Sequence, residues 1–325
     1  MSASRDAILA ARYMRDGETE DDLWMRVAAQ WATNDEEQGR FFQMFKSRRG
    51  LPNTPAIANA GHDQPMGSAC FVLPVEDDTD EILDTLRAAT VVHKHGGGTG
   101  FDFSRIRPRG AIVASTGRGA PGPVEGPLKG YSEWLGRWSQ AGLRSGANMG
   151  MLSVEHPDIM DFITAKHGTE SILTNFNISV KVTDRFMTNA ARNRDVWRAS
   201  TEWRALVEGA WEHGEPGIYF EDTVNNARLH PELIHATNPC GEVPLRPYEA
   251  CVLGSVNLAA HMVERDGRYF LDEQAYRDTI DTMTILLDNV IELQHYPIPE
   301  IEREQKRYRK IGVGVMGFAD ALCLM

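Results

Sequence analysis

The sequence predicts an α/β fold with parallel strands, preceded by a small helical region over residues 1–50. Apolar residues recur at helical spacing from Asp6 to Ala32, with a break at Asp16-Gly17, and the helical pattern continues from Asp35 to Arg48. From about Pro52 onward, short apolar runs alternate with amphipathic segments. This alternation is typical of parallel β-strands that are connected by helices.

Individual elements follow from the same alternation. The run Phe71-Val72-Leu73 is short and apolar, as expected for a strand, and an amphipathic helix is predicted from Asp80 to His93. The segment from Lys166 to Leu173 contains Gly, Ser and Thr and is predicted to be a flexible connection before a strand from Asn175 to Val182. The length of 325 residues, 42% of them hydrophobic, allows one large domain or two ordinary ones.

Composition and charge limit the classes of partner. A net charge of −12 argues against a nucleic-acid surface, although single nucleotides can still be held by local basic residues and backbone amides. The first residues lack an apolar signal core, and no stretch reaches membrane-spanning length. We therefore expect a cytoplasmic chain that binds neither membrane nor nucleic acid. In that reducing compartment a working disulfide is more often catalytic than structural.

The most informative motif is the run from Thr237 to Glu242, which places a thiol, Cys240, between the amide of Asn238 and the carboxylate of Glu242. A thiol can lose a hydrogen atom to become a thiyl radical. A carboxylate can act as general base and then acid, and an amide can hold a hydroxyl by hydrogen bonds. Because Pro239 disfavours helix at the preceding residue, the run is predicted to be extended, with the three side chains on one face.

The other cysteines allow more than one interpretation. Cys70 and Cys251 are two further thiols, and two thiols that face each other can supply two electrons by closing a disulfide. Alternatively, cysteines at this ordinary frequency are inert and buried, and Cys323 in its apolar run is assigned to that class. Zinc is not favoured, because there is no CxxC pair and no matching His spacing. His93 and His95 lack a third ligand, so structural roles are expected for them.

A glycine-rich run, Gly96 to Gly100, also has two interpretations. It could cradle a phosphate, but it lacks the ending of a P-loop and the spacing of a dinucleotide-binding turn. The glycines could equally allow a close backbone approach at the start of a strand. Downstream, Arg105, Arg107 and Arg109 form a basic cluster beside residues 115–120. This cluster either binds phosphate or lies in a solvated loop where it offsets nearby acids.

These motifs resemble those of the large catalytic subunit of ribonucleotide reductases, and they occur in the same order along the chain. In detail they resemble the adenosylcobalamin-dependent class II enzymes. The matching segments are Pro52–Pro55, Gly67–Asp77, His93–Pro108, Gly146–Gly150, Asn175–Val180, Thr237–Glu242 and Arg309–Asp320. The resemblance implies a ten-stranded α/β barrel made of two half-barrels. Residues 51–325 would form its first half, with the radical cysteine on a loop over residues 236–258. The family's second half-barrel, substrate phosphate-binding turn and C-terminal cysteine pair would follow residue 325.

The resemblance also implies roles for single residues. Cys240 would carry the transient thiyl radical, with Asn238 and Glu242 at the ribose hydroxyls. Cys70 and Cys251 would be oxidised to a disulfide when the 2′-hydroxyl leaves as water. Substrate-binding positions would be Thr54, Ser68, Ala69 and Gly98, and effector-binding positions would be Asp77, Arg105, Arg107 and Lys166. No residue of the chain is expected to ligate a metal.

The activity implied is reduction of ribonucleotides, as diphosphates, with adenosylcobalamin as cofactor. The implied partners are dNTP or ATP effectors, a thioredoxin-type reductant, and either a complementary C-terminal half or a second copy. Without such a half the chain is expected to be inactive. Two alternatives stay open: a class I large subunit whose radical arises in a separate subunit, and a non-catalytic nucleotide-binding remnant. Class II is favoured because the residues of the motifs match that class and because no ATP-binding cone precedes residue 50.

Overall fold

The computed structural model describes residues 3–137, 139–140, 144–167, 173–192, 200–228 and 230–325. The chain divides into two compact units. The terminal unit comprises residues 1–69 and 250–325, and the middle unit comprises residues 70–249. No helix within the described ranges combines the length and the apolar character needed to cross a membrane.

The helices and strands are numbered in chain order. The helices are α1 Ala3–Arg12, α2 Glu20–Trp31, α3 Asp35–Lys46, α4 Thr54–Ala58, α5 Thr79–Lys94, α6 Lys129–Leu135, α7 Ile159–Ile163, α8 Asp184–Arg192, α9 Thr201–His213, α10 Glu221–Ala227, α11 Glu273–Leu293, α12 Pro299–Tyr308 and α13 Phe318–Leu324. The strands are β1 Gly50–Pro52, β2 Cys70–Leu73, β3 Gly98–Asp102, β4 Ile112–Val113, β5 Arg118–Gly119, β6 Ser139–Gln140, β7 Arg144–Ser145, β8 Asn148–Ser153, β9 Phe176–Val182, β10 Gly217–Phe220, β11 Ala236–Thr237, β12 Pro244–Leu245, β13 Ala250–Asn257, β14 Met262–Arg265, β15 Arg268–Leu271 and β16 Ile311–Met316.

Local sequence signals explain where the first helices of the terminal unit begin. Helix α2 starts with a capping box, in which the Thr19 side chain accepts from the Asp22 amide and the Asp22 carboxylate accepts from the Thr19 amide. Helix α3 starts at Asn34, whose side chain accepts from the Glu37 amide. Both first turns are acidic, which complements the positive end of the helix dipole. The predicted N-terminal helices are therefore confirmed.

The core of the terminal unit lies between α2, α3 and α11. Trp31, Phe45 and Leu287 are completely buried in it, and the Trp31 indole donates a 2.8 Å hydrogen bond to the carbonyl of Ala56. Strand β13 pairs antiparallel with β1 and parallel with β16. The unit is therefore built from residues at both ends of the chain.

The middle unit contains a parallel sheet in which β2, β3, β8, β9 and β10 are neighbours in that order. Spatial order equals chain order, and α5 connects β2 to β3. Strands β2 and β8 are almost entirely buried, as expected when both faces of a parallel sheet are covered. This arrangement confirms the parallel strands predicted from the alternating pattern.

His93 links the last turn of α5 to two strands of this sheet. Its Nε2 lies 3.0 Å from Thr99 Oγ1, and that hydroxyl donates a 2.7 Å hydrogen bond to Asn148 Oδ1. Because the hydroxyl hydrogen is committed to Asn148, Nε2 of a neutral imidazole must be the donor to Thr99. The ring is completely buried, and burial lowers the pKa of His93 from 6.5 to about 4.

We expect the pKa shift of His93 to make the chain less stable in mild acid. The unfolded chain takes up a proton near pH 6.5, whereas the folded chain resists protonation down to about pH 4. The contribution of His93 to the free energy of unfolding is therefore complete above pH 6.5 and falls by about 1.4 kcal/mol per pH unit below it, for a loss on the order of 3 kcal/mol. Chemical denaturation between pH 4.5 and 7.5 measures this slope.

His93→Gln keeps a donor for Thr99 and removes the titrating ring, so it should reduce the slope of the free energy of unfolding against pH. His95→Gln, on the same turn but only partly buried, is the matched control and should keep it. An equal slope in the wild-type and His93→Gln chains would contradict this account.

Candidate active site

The run from Thr237 to Glu242 forms the tip of a short hairpin in the middle unit. Strands β11 and β12 pair antiparallel, with Ala236 opposite Leu245. At the tip, the Gly241 amide donates a 3.1 Å hydrogen bond to the Asn238 carbonyl, and Gly241 has a left-handed φ of 83°. The prediction of an extended run is therefore wrong. Pro239 occupies the second position of a turn, which its fixed φ favours as strongly as an extended chain.

The turn separates the three candidate side chains. Asn238 is completely buried, whereas Cys240 and Glu242 are exposed. Asn238 Oδ1 accepts from the Val243 amide at 3.0 Å, and its Nδ2 donates to Cys70 Sγ at 3.3 Å. The hairpin thus brings two of the predicted catalytic residues, Asn238 and Cys70, into contact and presents Cys240 on the surface.

Glycines of strand β3 allow the hairpin to lie directly on the sheet. A Cβ at Gly100 would lie 1.7 Å from the Thr237 carbonyl oxygen, and a Cβ at Gly98 would lie 2.7 Å from Pro239 Cγ. Both distances are too short for any side chain. Close backbone approach therefore explains these glycines, and Gly98, which we predicted to bind substrate, lies beneath Pro239.

Two side chains from neighbouring strands also contact the hairpin. Asn177 of β9 donates a 2.7 Å hydrogen bond from Nδ2 to the Pro239 carbonyl. The Thr237 hydroxyl lies 4.0 Å from the sulfur of Met151 in β8. Sequence reasoning missed Asn177. Its only local signal is a polar amide between two buried apolar residues, Phe176 and Ile178.

The cysteines are all free thiols in different surroundings. Cys70 is the first residue of β2 and is mostly buried, and Cys251 lies in β13 with its thiol 3.6 Å from the Val252 carbonyl. They belong to different units, and their pairing stays a prediction. Cys323 was expected to be buried and inert, but it is exposed, because α13 leaves most of its side chains uncovered.

The substrate-binding positions predicted in the terminal unit form hydrogen bonds with other residues of that unit. The amide of Ser68 donates to Gln294 Oε1 at 2.9 Å, and its buried hydroxyl lies 3.0 Å from Gln305 Oε1. The amide of Ala69 donates to the Cys251 carbonyl at 3.2 Å, and Thr54 Oγ1 lies 3.2 Å from the Tyr13 hydroxyl. No local motif marked the two glutamines.

The predicted effector residues separate into two groups. Asp77 pairs with Arg107 at 2.7 Å, and both line a cleft of about 420 Å³ that also includes Ser115 and Ala120. Arg105 instead pairs with Glu76 and does not line that cleft.

Other basic residues near this region are also engaged. Arg109 Nη1 lies 3.8 Å from the Asp161 carboxylate. For Arg105 and Arg109 the structure therefore matches the interpretation in which arginines offset nearby acids. Lys166 pairs with Glu215 and donates a 2.6 Å hydrogen bond to the Phe176 carbonyl. Residues 168–172 of the predicted connection lie outside the described residues. Across the described part of the chain, no three His, Cys, Asp or Glu side chains group around a possible metal position.

Comparison with protein families settles the relationship. The model of the ribonucleotide reductase barrel domain matches residues 68–202 and 192–325, and that of the ribonucleotide reductase all-alpha domain matches residues 4–65. The chain belongs to the ribonucleotide reductase family. A vitamin B12-dependent ribonucleoside-diphosphate reductase of Thermoplasma acidophilum is 42% identical over 298 residues, which are 87% of this chain and 38% of that protein. A protein of the same name from Mycobacterium tuberculosis is 42% identical over 301 residues, covering 88% of this chain and 43% of the relative.

A solved structure confirms the predicted fold. The Actinobacillus ureae class Id ribonucleotide reductase alpha subunit matches with a TM-score of 0.80 at 22% identity, over 99% of this chain and 61% of that one. Together with the family matches, this confirms a reductase-type barrel half preceded by a helical region. The chain spans about two fifths of the length of the two curated relatives named above.

Gly100→Ala should displace the hairpin, because the new methyl would meet the backbone oxygen of Thr237, which cannot rotate away. We expect the free energy of unfolding to fall by about 1–3 kcal/mol, as for other overpacked sites. The matched control is Gly130→Ala in α6, where nothing lies within 4 Å of the added Cβ. That variant should be as stable as the wild type or slightly more so. Urea denaturation measures both, and equal stabilities would show that the hairpin does not lie on β3.

Proposed function

We propose that this chain supplies the radical-cysteine half of an adenosylcobalamin-dependent reductase that converts ribonucleoside diphosphates to deoxyribonucleotides. The observation that carries the proposal is the hydrogen bond from Asn238 to Cys70, on a hairpin whose tip exposes Cys240. The hairpin that carries the thiol for radical formation, Cys240, thereby also contacts a thiol for reduction, Cys70 of β2. The names of the two relatives at 42% identity support both the diphosphate substrate and the B12 dependence.

The proposed reaction assigns one task to each side chain. As a thiyl radical, Cys240 abstracts the 3′-hydrogen of the ribose, and Glu242 assists loss of the 2′-hydroxyl as water. Cys70 and Cys251 then deliver two electrons and two protons as their disulfide forms, and Cys240 returns the hydrogen to the 3′ position. A thioredoxin-type dithiol reopens the disulfide by exchange.

Asn238 has a positioning task in this scheme. Its amide now donates to the sulfur of Cys70, and as substrate binds it can donate instead to a ribose hydroxyl. This exchange would release the Cys70 thiol at the moment when it is needed. Glu242, exposed two residues beyond Cys240, is accessible to a hydroxyl without any rearrangement of the core.

The cofactor requirement fits the exposure of Cys240. Bound adenosylcobalamin would supply the hydrogen-atom acceptor that converts the thiol to a thiyl radical. Because adenosylcobalamin is bulky, it can approach Cys240 only if the sulfur of Cys240 lies outside the packed core. In this structure Cys240 is exposed. Cys240 is the residue that would meet the cofactor, and no cobalt ligand is assigned within the chain.

Effector and partner surfaces support the same proposal. The cleft that holds Asp77 and Arg107 is the candidate site for a dNTP or ATP effector, with Asp77 as acceptor for a sugar hydroxyl. In the terminal unit, β16 and α13 expose the apolar side chains of Val315, Phe318 and Leu322. Exposed apolar groups of this kind favour association, here with a complementary C-terminal half or a second copy.

Two cysteine variants test the proposal in the assembled enzyme. Cys240→Ala should abolish both deoxynucleotide formation and cofactor-dependent exchange of tritium between the deoxyadenosyl carbon and water, because alanine has no exchangeable S–H. Cys251→Ala should stop turnover but retain the exchange, since Cys251 acts only after the radical is made. Retained exchange in Cys240→Ala would refute the radical assignment. Turnover that does not depend on adenosylcobalamin would favour the class I alternative.

A further inference from the structure

A second cleft lies wholly within the terminal unit and includes none of the residues assigned above. It has a volume of about 590 Å³ and is formed by the C-terminal half of α3, residues 47–49 and the first half of α11. Its polar lining consists mainly of Arg40, Arg49, Asp278, Thr279 and Thr282. A ligand in this cleft would therefore meet two guanidinium groups and one carboxylate.

Neither arginine of this cleft has a carboxylate partner among the described residues. Arg40 donates a 2.9 Å hydrogen bond to the hydroxyl of Thr282, and the guanidinium of Arg49 makes no hydrogen bond within the described part of the chain. Asp278 lines the same cleft but accepts from Gln274 at 2.9 Å. The chain has 46 acidic and 34 basic residues, so half-buried arginines without an acid are notable.

Other arginines of the same unit do have carboxylate partners. Arg26 pairs with Glu18 at 2.6 Å, and Arg309 pairs with Asp288 at 2.8 Å. The donors of Arg40 and Arg49 instead face a cavity large enough for a small metabolite.

The backbone holds Arg49 in place before any ligand arrives. Its amide donates to the Met44 carbonyl at 3.1 Å, and its carbonyl accepts from the Asn257 amide at 2.7 Å. The preceding Arg48 has a left-handed φ of 59°, and its carbonyl accepts from Asn257 Nδ2 at 3.2 Å. Because the turn is already fixed, little conformational entropy is lost when a ligand binds.

His261 contacts Thr279 in one wall of the cleft, so its pKa depends on the charges around that wall. Its Nε2 lies 2.8 Å from Thr279 Oγ1, and its Nδ1 lies 2.7 Å from the Asn257 carbonyl. Burial lowers the pKa of His261, and the charge of Arg49 lowers it further, while Asp272 opposes that effect. The charge of Arg49 therefore acts on His261, which contacts Thr279 of the cleft wall.

We propose that this cleft binds a small phosphate monoester of a polyol, with the phosphate on Arg40 and Arg49 and a hydroxyl on Asp278. Guanidinium groups match phosphate oxygens in geometry and charge. An ionised carboxylate is an acceptor only, so Asp278 favours a ligand that brings a hydroxyl donor and disfavours a bare anion. The volume leaves room for a sugar-sized body beyond the phosphate. This inference does not depend on the proposed catalytic activity.

Titration with ribose 5-phosphate, inorganic phosphate and ribose tests the proposal, with the ring resonances of His261 followed by NMR as the local signal. His261→Gln assigns those resonances. Ribose 5-phosphate should shift them in a saturable way and raise the pKa of His261, because the ligand neutralises Arg49. Inorganic phosphate should bind more weakly, and ribose should not bind.

Variants identify the contacts. Arg49→Gln and Arg40→Gln should each weaken ribose 5-phosphate binding by about tenfold or more, the effect of losing a charged hydrogen bond. Arg49→Lys keeps the charge and should give a smaller loss. Asp278→Asn should reduce the preference for ribose 5-phosphate over inorganic phosphate. Arg277→Gln, exposed on the same helix and 3.8 Å from Glu273, is the matched control and should bind normally.

Three results would overturn the proposal. The first is the absence of a saturable shift at His261. The second is an equal loss of affinity in Arg277→Gln and Arg49→Gln, which would indicate general charge attraction. The third is inorganic phosphate binding as tightly as ribose 5-phosphate, which would show an adventitious anion without a contribution from Asp278.

Discussion

The candidate active site depends on one close backbone contact, between the Thr237 carbonyl and strand β3 at Gly100. Because β3 has no side chain at that point, the hairpin can lie on the sheet. Its Asn238 then reaches Cys70 at the start of β2, and the turn that follows carries Cys240 outward. The hydrogen bond from Asn177 to the Pro239 carbonyl joins the hairpin tip to β9, and the hydrogen bond between His93 and Thr99 joins β3 to α5.

Much of the fold could be predicted from local pattern. Helix spacing and capping residues such as Thr19 and Asn34 are local signals, and parallel strands follow from the alternation of short apolar runs with amphipathic helices. The hairpin tip could not be predicted in this way. A proline restricts the residue before it to extended geometry, yet it also favours the second position of a turn. The choice is made by tertiary contacts, since Gly98 and Gly100 leave room for the hairpin only in the folded sheet.

The partners of charged side chains could not be predicted from local sequence either. From sequence alone, Arg105, Arg107 and Lys166 were predicted to be cations available to an effector, but each of the three has an acidic partner distant in sequence. In a chain with more acids than bases, a basic cluster is easily neutralised. Conversely, Arg40 and Arg49 belong to no motif, yet both line a cleft and neither has a carboxylate partner among the described residues. Ser68 and its partner Gln294 are 226 positions apart, so only the fold reveals their hydrogen bonds.

The central claim is that the hairpin covers Cys70 with Asn238 and exposes Cys240. Timed alkylation of the native chain, with mass spectrometry of each cysteine, tests this directly, and the exposed Cys323 serves as the internal reference. The account predicts fast modification of Cys240 and Cys323 and slow modification of Cys70, with Asn238→Ala accelerating Cys70 alone among the three. Alkylation of Cys70 as fast as Cys240 in the unsubstituted chain would contradict it.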